Sequence, residues 1–160
     1  IEPETNVGEY DPNNIFAKIL RGEIPAHKVY EDADTLAFMD VMPQVDGHCL
    51  VIPKVGSRNL LDAELSTLTP LMATVQKVAR AAKVAFNADG LQIRQYNEQA
   101  AGQTVFHLHF HILPLNEGQT LRPHSGKMAD HAVLAKQAEM IRKILMEEEN
   151  KRTSRKKKRG

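Results

Sequence analysis

Between Gln103 and Pro114 the chain alternates without a break: Phe106, Leu108, Phe110 and Ile112 are apolar, and His107, His109 and His111 stand between them. A period of two over aromatic and aliphatic residues predicts a strand. Its side chains divide between two faces, so Val105, His107, His109, His111 and Leu113 point one way and the apolar set points into a core. Neighbours on one face lie roughly 6.5–7 Å apart, which separates the imidazoles along one surface. Gly102 and Pro114 bound the run.

The same patterning supplies the other elements. Asn13 or Asn14 caps a short helix to about Arg21, with Ile15, Phe16, Ile19 and Leu20 as its stripe and Gly22 as its stop. Val29 to Glu31 and Thr35 to Asp40 read as strands around an Asp32–Asp34 turn, and Asp46-Gly47 turns into a third strand, His48 to Pro53. Ser57 to Leu61 reads as a helical turn. Residues 66–87 keep helical spacing through Leu68, Leu71, Val75, Val78 and Ala82, starting at Ser66 or at Thr69 with Pro70 behind it. Leu91 to Asn97 is a fourth strand that returns through residues 98–102 to pair as a hairpin with the histidine strand. A polar loop, 116–127, carries His124 without an evident role; Asp130 then caps a helix to about Glu149. The class is α+β: about five mostly antiparallel strands with one long helix packed on the sheet. Residues 1–13 read as a flexible arm, 14–149 as the domain, and 150–160 as a disordered basic tail.

Charge sharpens this division. The tail holds seven of the 21 basic residues and no acid, leaving 14 against 20 acids in the first 150 residues, a net charge of −6. An acidic domain is a poor nucleic-acid binder, so only weak polyanion contacts by the tail are expected. Composition is 42% apolar, enough for one core, and no run is long enough to span a membrane. The single cysteine, Cys49, cannot form an internal disulfide and fits a reducing, cytoplasmic setting.

A row of three imidazoles can do two kinds of chemistry. A neutral imidazole can attack phosphorus while its neighbours hold the phosphoryl oxygens. His-x-His on a strand can also present two nitrogens to zinc. Asp40, at a strand end before Pro43, could accept hydrogen bonds from vicinal hydroxyls.

His107-Leu108-His109-Phe110-His111-Ile112-Leu113 resembles the His-φ-His-φ-His-φ-φ signature of the histidine triad family, φ being apolar. Gly102 to Val105, Ile15 to Ile19, Gly22 to Pro25 and Val51 to Lys54 are also similar, in the right order, over about residues 14–149. The resemblance is closest to the bacterial phosphoramidase-like branch. It implies a homodimer in which two sheets join, and hydrolysis at the α-phosphorus of a purine nucleoside 5′-phosphate conjugate. His109 would be the nucleophile, with His111, Asn97, Gln103 and Thr104 on the phosphoryl oxygens and His107 and His48 in support. Asp40 would hold the ribose, and Val41, Phe38, Phe16, Ile15 and Ile19 would border the base. It implies no cofactor and no metal: relatives with a structural zinc carry a Cys-x-x-Cys pair near the first helix, and Asn13 to Ala17 contains no cysteine. A dinucleoside polyphosphate hydrolase and a non-catalytic nucleotide-binding module are the alternatives.

Overall fold

The computed structural model describes residues 8–124 and 127–159. Most of the expected arm, residues 1–7, and the last residue of the tail lie outside the described residues. The elements run α1 (Ile15–Leu20), β1 (Lys28–Glu31), β2 (Thr35–Met39), β3 (Cys49–Pro53), α2 (Leu65–Ala85), β4 (Gly90–Arg94), β5 (Phe110–Leu115) and α3 (His131–Arg159). The five strands form one antiparallel sheet in the order β1-β2-β3-β5-β4. The α+β expectation therefore holds, with a second long helix, α3, packed beside α2 and over β1.

Alternation along β2 and β3 sorts the core into two clusters. Ala37, Met39, Cys49 and Val51 face α2 and α3, where Leu71, Val75, Val78, Leu134 and Ile141 complete the larger cluster. Leu36, Phe38, Leu50 and Ile52 face the other way, against Phe16 and Ile19 of α1. Both strands are thus buried on both faces. A slip of one residue would exchange the two sets, which fixes the register. Asn14 caps α1 by accepting the Ala17 amide at 2.9 Å, and Gly22 takes a positive φ of 78° just beyond it.

The histidine strand is shorter than its alternation predicts. Pairing begins at Phe110, with Val51↔Phe110, Leu50↔His111 and Cys49↔Ile112, and runs through Pro114 to Leu115. The ladder stops because the next residue of β3 whose amide would face β5 is Pro53, which has no N–H to donate. Its carbonyl instead accepts the His107 side chain at 2.8 Å. Sidedness nonetheless persists beyond the strand: Leu108 is in the helix-side core and His107 is on the opposite side. Phe106 is the exception, half-buried under the Arg58 guanidinium at 4.1 Å from the ring centre rather than in the core.

Four other features differ. The long helix α2 starts at Leu65 after Glu64, before both expected caps, so Pro70 lies inside it. The expected helical turn at Ser57 to Leu61 is instead a pair of bends leading into a turn, and β4 ends at Arg94 instead of Asn97. Finally, α3 continues through the basic segment to Arg159, where a disordered tail was expected. Lysine and arginine are strong helix formers, cations near a helix C-terminus complement its dipole, and Glu148 pairs with Lys151 at 3.8 Å.

Candidate active site

The site lies on the α1 side of the sheet, where β5 and the segment before it leave β3. A cavity of about 330 Å³ opens there, within the usual range for small-molecule sites of roughly 300–1,000 Å³. Ile15, Phe16, Ile19, Phe38 and Val41 form its apolar wall, and Asp40, Thr104, His109, His111 and His124 its polar end. A second cavity of about 230 Å³ shares Thr104, His109, His111 and His124 and extends toward Gln44 and Tyr96.

The protons on the four buried imidazoles can be placed from their fixed neighbours. His107 faces the Pro53 carbonyl with Nε2, at 2.8 Å, so Nε2 carries the proton and Nδ1 accepts from the Tyr10 hydroxyl at 2.7 Å. His109 Nδ1 lies 2.6 Å from the His107 carbonyl and donates to it, which leaves the Nε2 lone pair free. The Gln44 amide donates to His48 Nδ1 at 3.1 Å, so neutral His48 carries its proton on Nε2 and donates to His111 Nδ1 at 2.9 Å. His111 then keeps its proton on Nε2. One ring of the triad has a free lone pair and the next a free N–H.

Electrostatics keep these rings neutral. Burial pushes His48 and His107 down to about 4 and His111 down to about 3, and it lowers His109 as well. Neighbouring imidazoles add to the shift at His111. Asp40 is 4% exposed. Burial alone would raise its pKa, but the hydrogen bond from His124 and the charges nearby bring it below the ordinary carboxylate value. That same bond raises His124.

A group with a lowered histidine pKa stabilises the fold fully above its unfolded value of 6.5 and loses that contribution as pH falls toward the folded value. His48, His107 and His111 should therefore make the melting temperature fall as pH drops from 6.5 to about 4. His124, whose pKa is raised, acts in the opposite sense: its contribution is present below 6.5 and lost as pH rises past its folded value. Thermal melts across this range test the assignment, and a flat or rising melting temperature on acidification contradicts it.

Several expected site residues take other places. Gln103, expected on phosphate, is 2% exposed and all its polar atoms are used. Its carbonyl accepts from Asn59 and from the Glu98 amide, and its amide donates to the carbonyls of Arg58 and Val105. It shapes the loop before the triad and lines neither cavity. Asn97 is likewise engaged, accepting from the Leu60 amide at 2.9 Å and exchanging amide bonds with Gln95. With β4 ending early, Asn97 falls on that loop, away from the cleft wall. Thr104 remains at the cleft. Conversely, His124 reaches Asp40 Oδ2 at 2.8 Å from a polar loop in which nothing marked it. Tyr10 belongs to the expected flexible arm, where an aromatic residue among polar ones is its one signal.

The donors Asp40, His48, His111 and His124 lie within 4.8 Å of one another, a set capable of holding a metal ion. The Gln44 amide on His48 Nδ1 forces the proton onto Nε2, so neutral His48 cannot ligate there without losing that bond. At the position of a Cys-x-x-Cys zinc pair, Asn14 is spent on capping α1 and Ala17 is buried, so these residues do not fit that ion.

An antiparallel α+β fold with three alternating histidines at the polar end of an apolar cleft defines a recognisable class. The chain belongs to the HIT family: the HIT domain model matches residues 21–118. An uncharacterized HIT-like protein of Mycobacterium tuberculosis is 40% identical over 114 residues, covering 71% of this chain and 79% of the relative. The crystal structure of a HIT-like protein involved in cell-cycle regulation from Bartonella henselae, with an unknown ligand, is 54% identical with a TM-score of 0.80, covering 85% of this chain and 99% of that one. An adenylylsulfatase of Arabidopsis thaliana is 36% identical over 124 residues, 74% of this chain and 63% of its own length.

Proposed function

We propose that the protein hydrolyses purine nucleoside 5′-phosphate conjugates, phosphoramidates foremost, at the α-phosphorus. The observation that carries this reading is the His109 ring: its Nδ1–H is spent on the His107 carbonyl at 2.6 Å, and its other nitrogen is free at the cleft. In the first step the His109 Nε2 lone pair bonds to phosphorus. The bond from phosphorus to the leaving amine breaks, and the amine departs with a proton taken from solvent, which the attacking water returns to solvent in the second step. In the second, water bonds to phosphorus, the bond to His109 breaks, and nucleoside monophosphate leaves. His111 Nε2–H and the Thr104 hydroxyl serve the phosphoryl oxygens. The apolar wall of Ile15, Phe16, Ile19, Phe38 and Val41 takes the base.

The Arabidopsis relative is named as an adenylylsulfatase, and such substrates share the nucleotidyl group proposed here. That supports attack at the α-phosphorus more than any one leaving group, and dinucleoside polyphosphates remain the second substrate class. We also retain the homodimer, for which β4 offers an open sheet edge with Ile93 43% exposed, and a cytoplasmic setting. Among the described residues, no helix is long and apolar enough to cross a membrane.

Asp40 Oδ1 accepts the Met42 amide and Oδ2 accepts His124, each at 2.8 Å, so the carboxylate keeps lone pairs for two ribose hydroxyls. Release of amine from adenosine 5′-phosphoramidate tests the reading. Asp40→Asn is expected to raise KM about tenfold for the ribonucleotide, and much less for an analogue lacking both vicinal hydroxyls. Equal KM for the two substrates in the unmodified protein removes the ribose role. No amine release, with sulfate and polyphosphate conjugates also inert, removes the enzyme reading.

A further inference from the structure

Tyr10 sits outside the cleft but is built into the triad from behind. Its hydroxyl donates to His107 Nδ1 at 2.7 Å, and the two rings meet edge to face with centroids 5.6 Å apart. His107 is fully buried, so this bond satisfies an acceptor that water does not reach. The tyrosine has its own seat. A Cβ added at Gly56 would fall 2.6 Å from the Tyr10 ring, so the close approach requires glycine there. Gly8, two residues earlier, packs its backbone against the Arg58 guanidinium, which is itself paired with Glu98 at 2.9 Å.

We propose that Tyr10 is a positioning residue for the triad, acting through His107 on the nucleophile. This inference rests on the hydrolase reading. The chain of bonds is continuous: the Tyr10 hydroxyl to His107 Nδ1, His107 Nε2–H to the Pro53 carbonyl, and the His107 carbonyl to His109 Nδ1–H. The two side-chain bonds hold the His107 ring between Tyr10 and the end of β3. They thereby hold the main chain whose carbonyl sets the His109 tautomer. With the hydroxyl removed, Nδ1 becomes a buried acceptor without a partner. His107 can relieve that only by turning its ring or shifting its backbone, and either motion displaces the carbonyl that keeps the proton on His109 Nδ1. Tyr10 does not line the cavity, so substrate binding should be spared.

The variant is Tyr10→Phe, which keeps the ring in its Gly56 seat. In the full chain with adenosine 5′-phosphoramidate, kcat is expected to fall about tenfold, the size typical of partners that orient an active group. KM should stay within about twofold. Isotope-edited NMR of the imidazole nitrogens in the free protein supplies the second readout. In the unmodified chain, His109 should be a single tautomer protonated on Nδ1, and His107 one protonated on Nε2. In the variant, the His107 Nδ1 signal should lose its hydrogen-bond shift and the His109 signals should move toward a mixture of tautomers. An unchanged kcat overturns the proposal, and so does a lower kcat with an unmoved His109 signal, since a purely structural loss would leave the tautomer alone. If the unmodified chain turns over no nucleotide conjugate, the hydrolase reading fails, while the NMR comparison still decides the link from Tyr10 to His109. If the variant does not fold, His107 in the unmodified chain decides: a proton found on Nδ1 instead of Nε2 overturns the proposal, and an Nδ1 that accepts the tyrosine hydroxyl proton supports it.

Discussion

Replacing His109 with alanine is expected to lower turnover of a nucleoside phosphoramidate by at least about 10³-fold, the scale of losing a nucleophile. The melting temperature should change little. His109 contributes one hydrogen bond, to the His107 carbonyl, and its ring edge meets Phe16 at a centroid distance of 4.9 Å at the cleft wall rather than in the main core. The variant should also fail to acquire a nucleotidyl adduct when mixed with substrate and quenched in acid, whereas the unmodified chain should acquire one. Activity above about a tenth of the unmodified rate would remove His109 from the nucleophile's role, because no other ring in the triad has a free lone pair at the cleft.

The second large effect is expected at His111. His48 donates to its Nδ1 at 2.9 Å, which leaves the Nε2 proton for a phosphoryl oxygen as charge builds on it. Removing one preorganised donor of this kind costs about 10²–10³-fold in kcat. His111→Asn should therefore slow both steps by that order, with KM moving far less. Unlike the His109 variant, it should still form the adduct on His109, only slowly, and rapid-quench mass spectrometry can follow it. A loss below about tenfold would assign the phosphoryl contact elsewhere, with Thr104 the next candidate.

How much of this was legible without coordinates depended on whether the signal was local. Strict alternation placed His107, His109 and His111 on one side and Leu108, Phe110 and Ile112 on the other, and that sidedness survives even where the strand does not. The early end of pairing could have been foreseen from Pro53, but only once β3 and β5 were known to be neighbours, since the missing N–H matters to a partner strand. Gln103 and Asn97 carry amides suited to phosphate, and their type alone could not reveal that backbone groups of the preceding loops had already claimed them. His124 is separated from Asp40 by 84 residues, and a lone histidine in a polar loop has no periodicity to betray its target. The basic tail differs from its expected disorder for another reason. Like-charge repulsion argues for disorder there, but the helical preference of lysine and arginine, continuous with a helix already formed, outweighs it.

The division of the core into two clusters has a consequence for how this protein can change. The cluster under α2 and α3 includes Leu71, Val78, Leu134 and Ile141, none of which lines the cleft. The smaller cluster under α1 supplies Phe16, Ile19 and Phe38 to the cleft wall. A six-residue helix capped by its own asparagine can exchange side chains on its inner face with little effect on the large cluster. New ligand preferences are therefore open to lineages that alter α1, at a modest cost in thermal stability. No residue of α2 lines the cleft, so substitutions there act first on folding. Changes that retune the base wall therefore fall mainly on the α1 face of the sheet, with Met39 and Val41 the points where the large cluster meets the cleft.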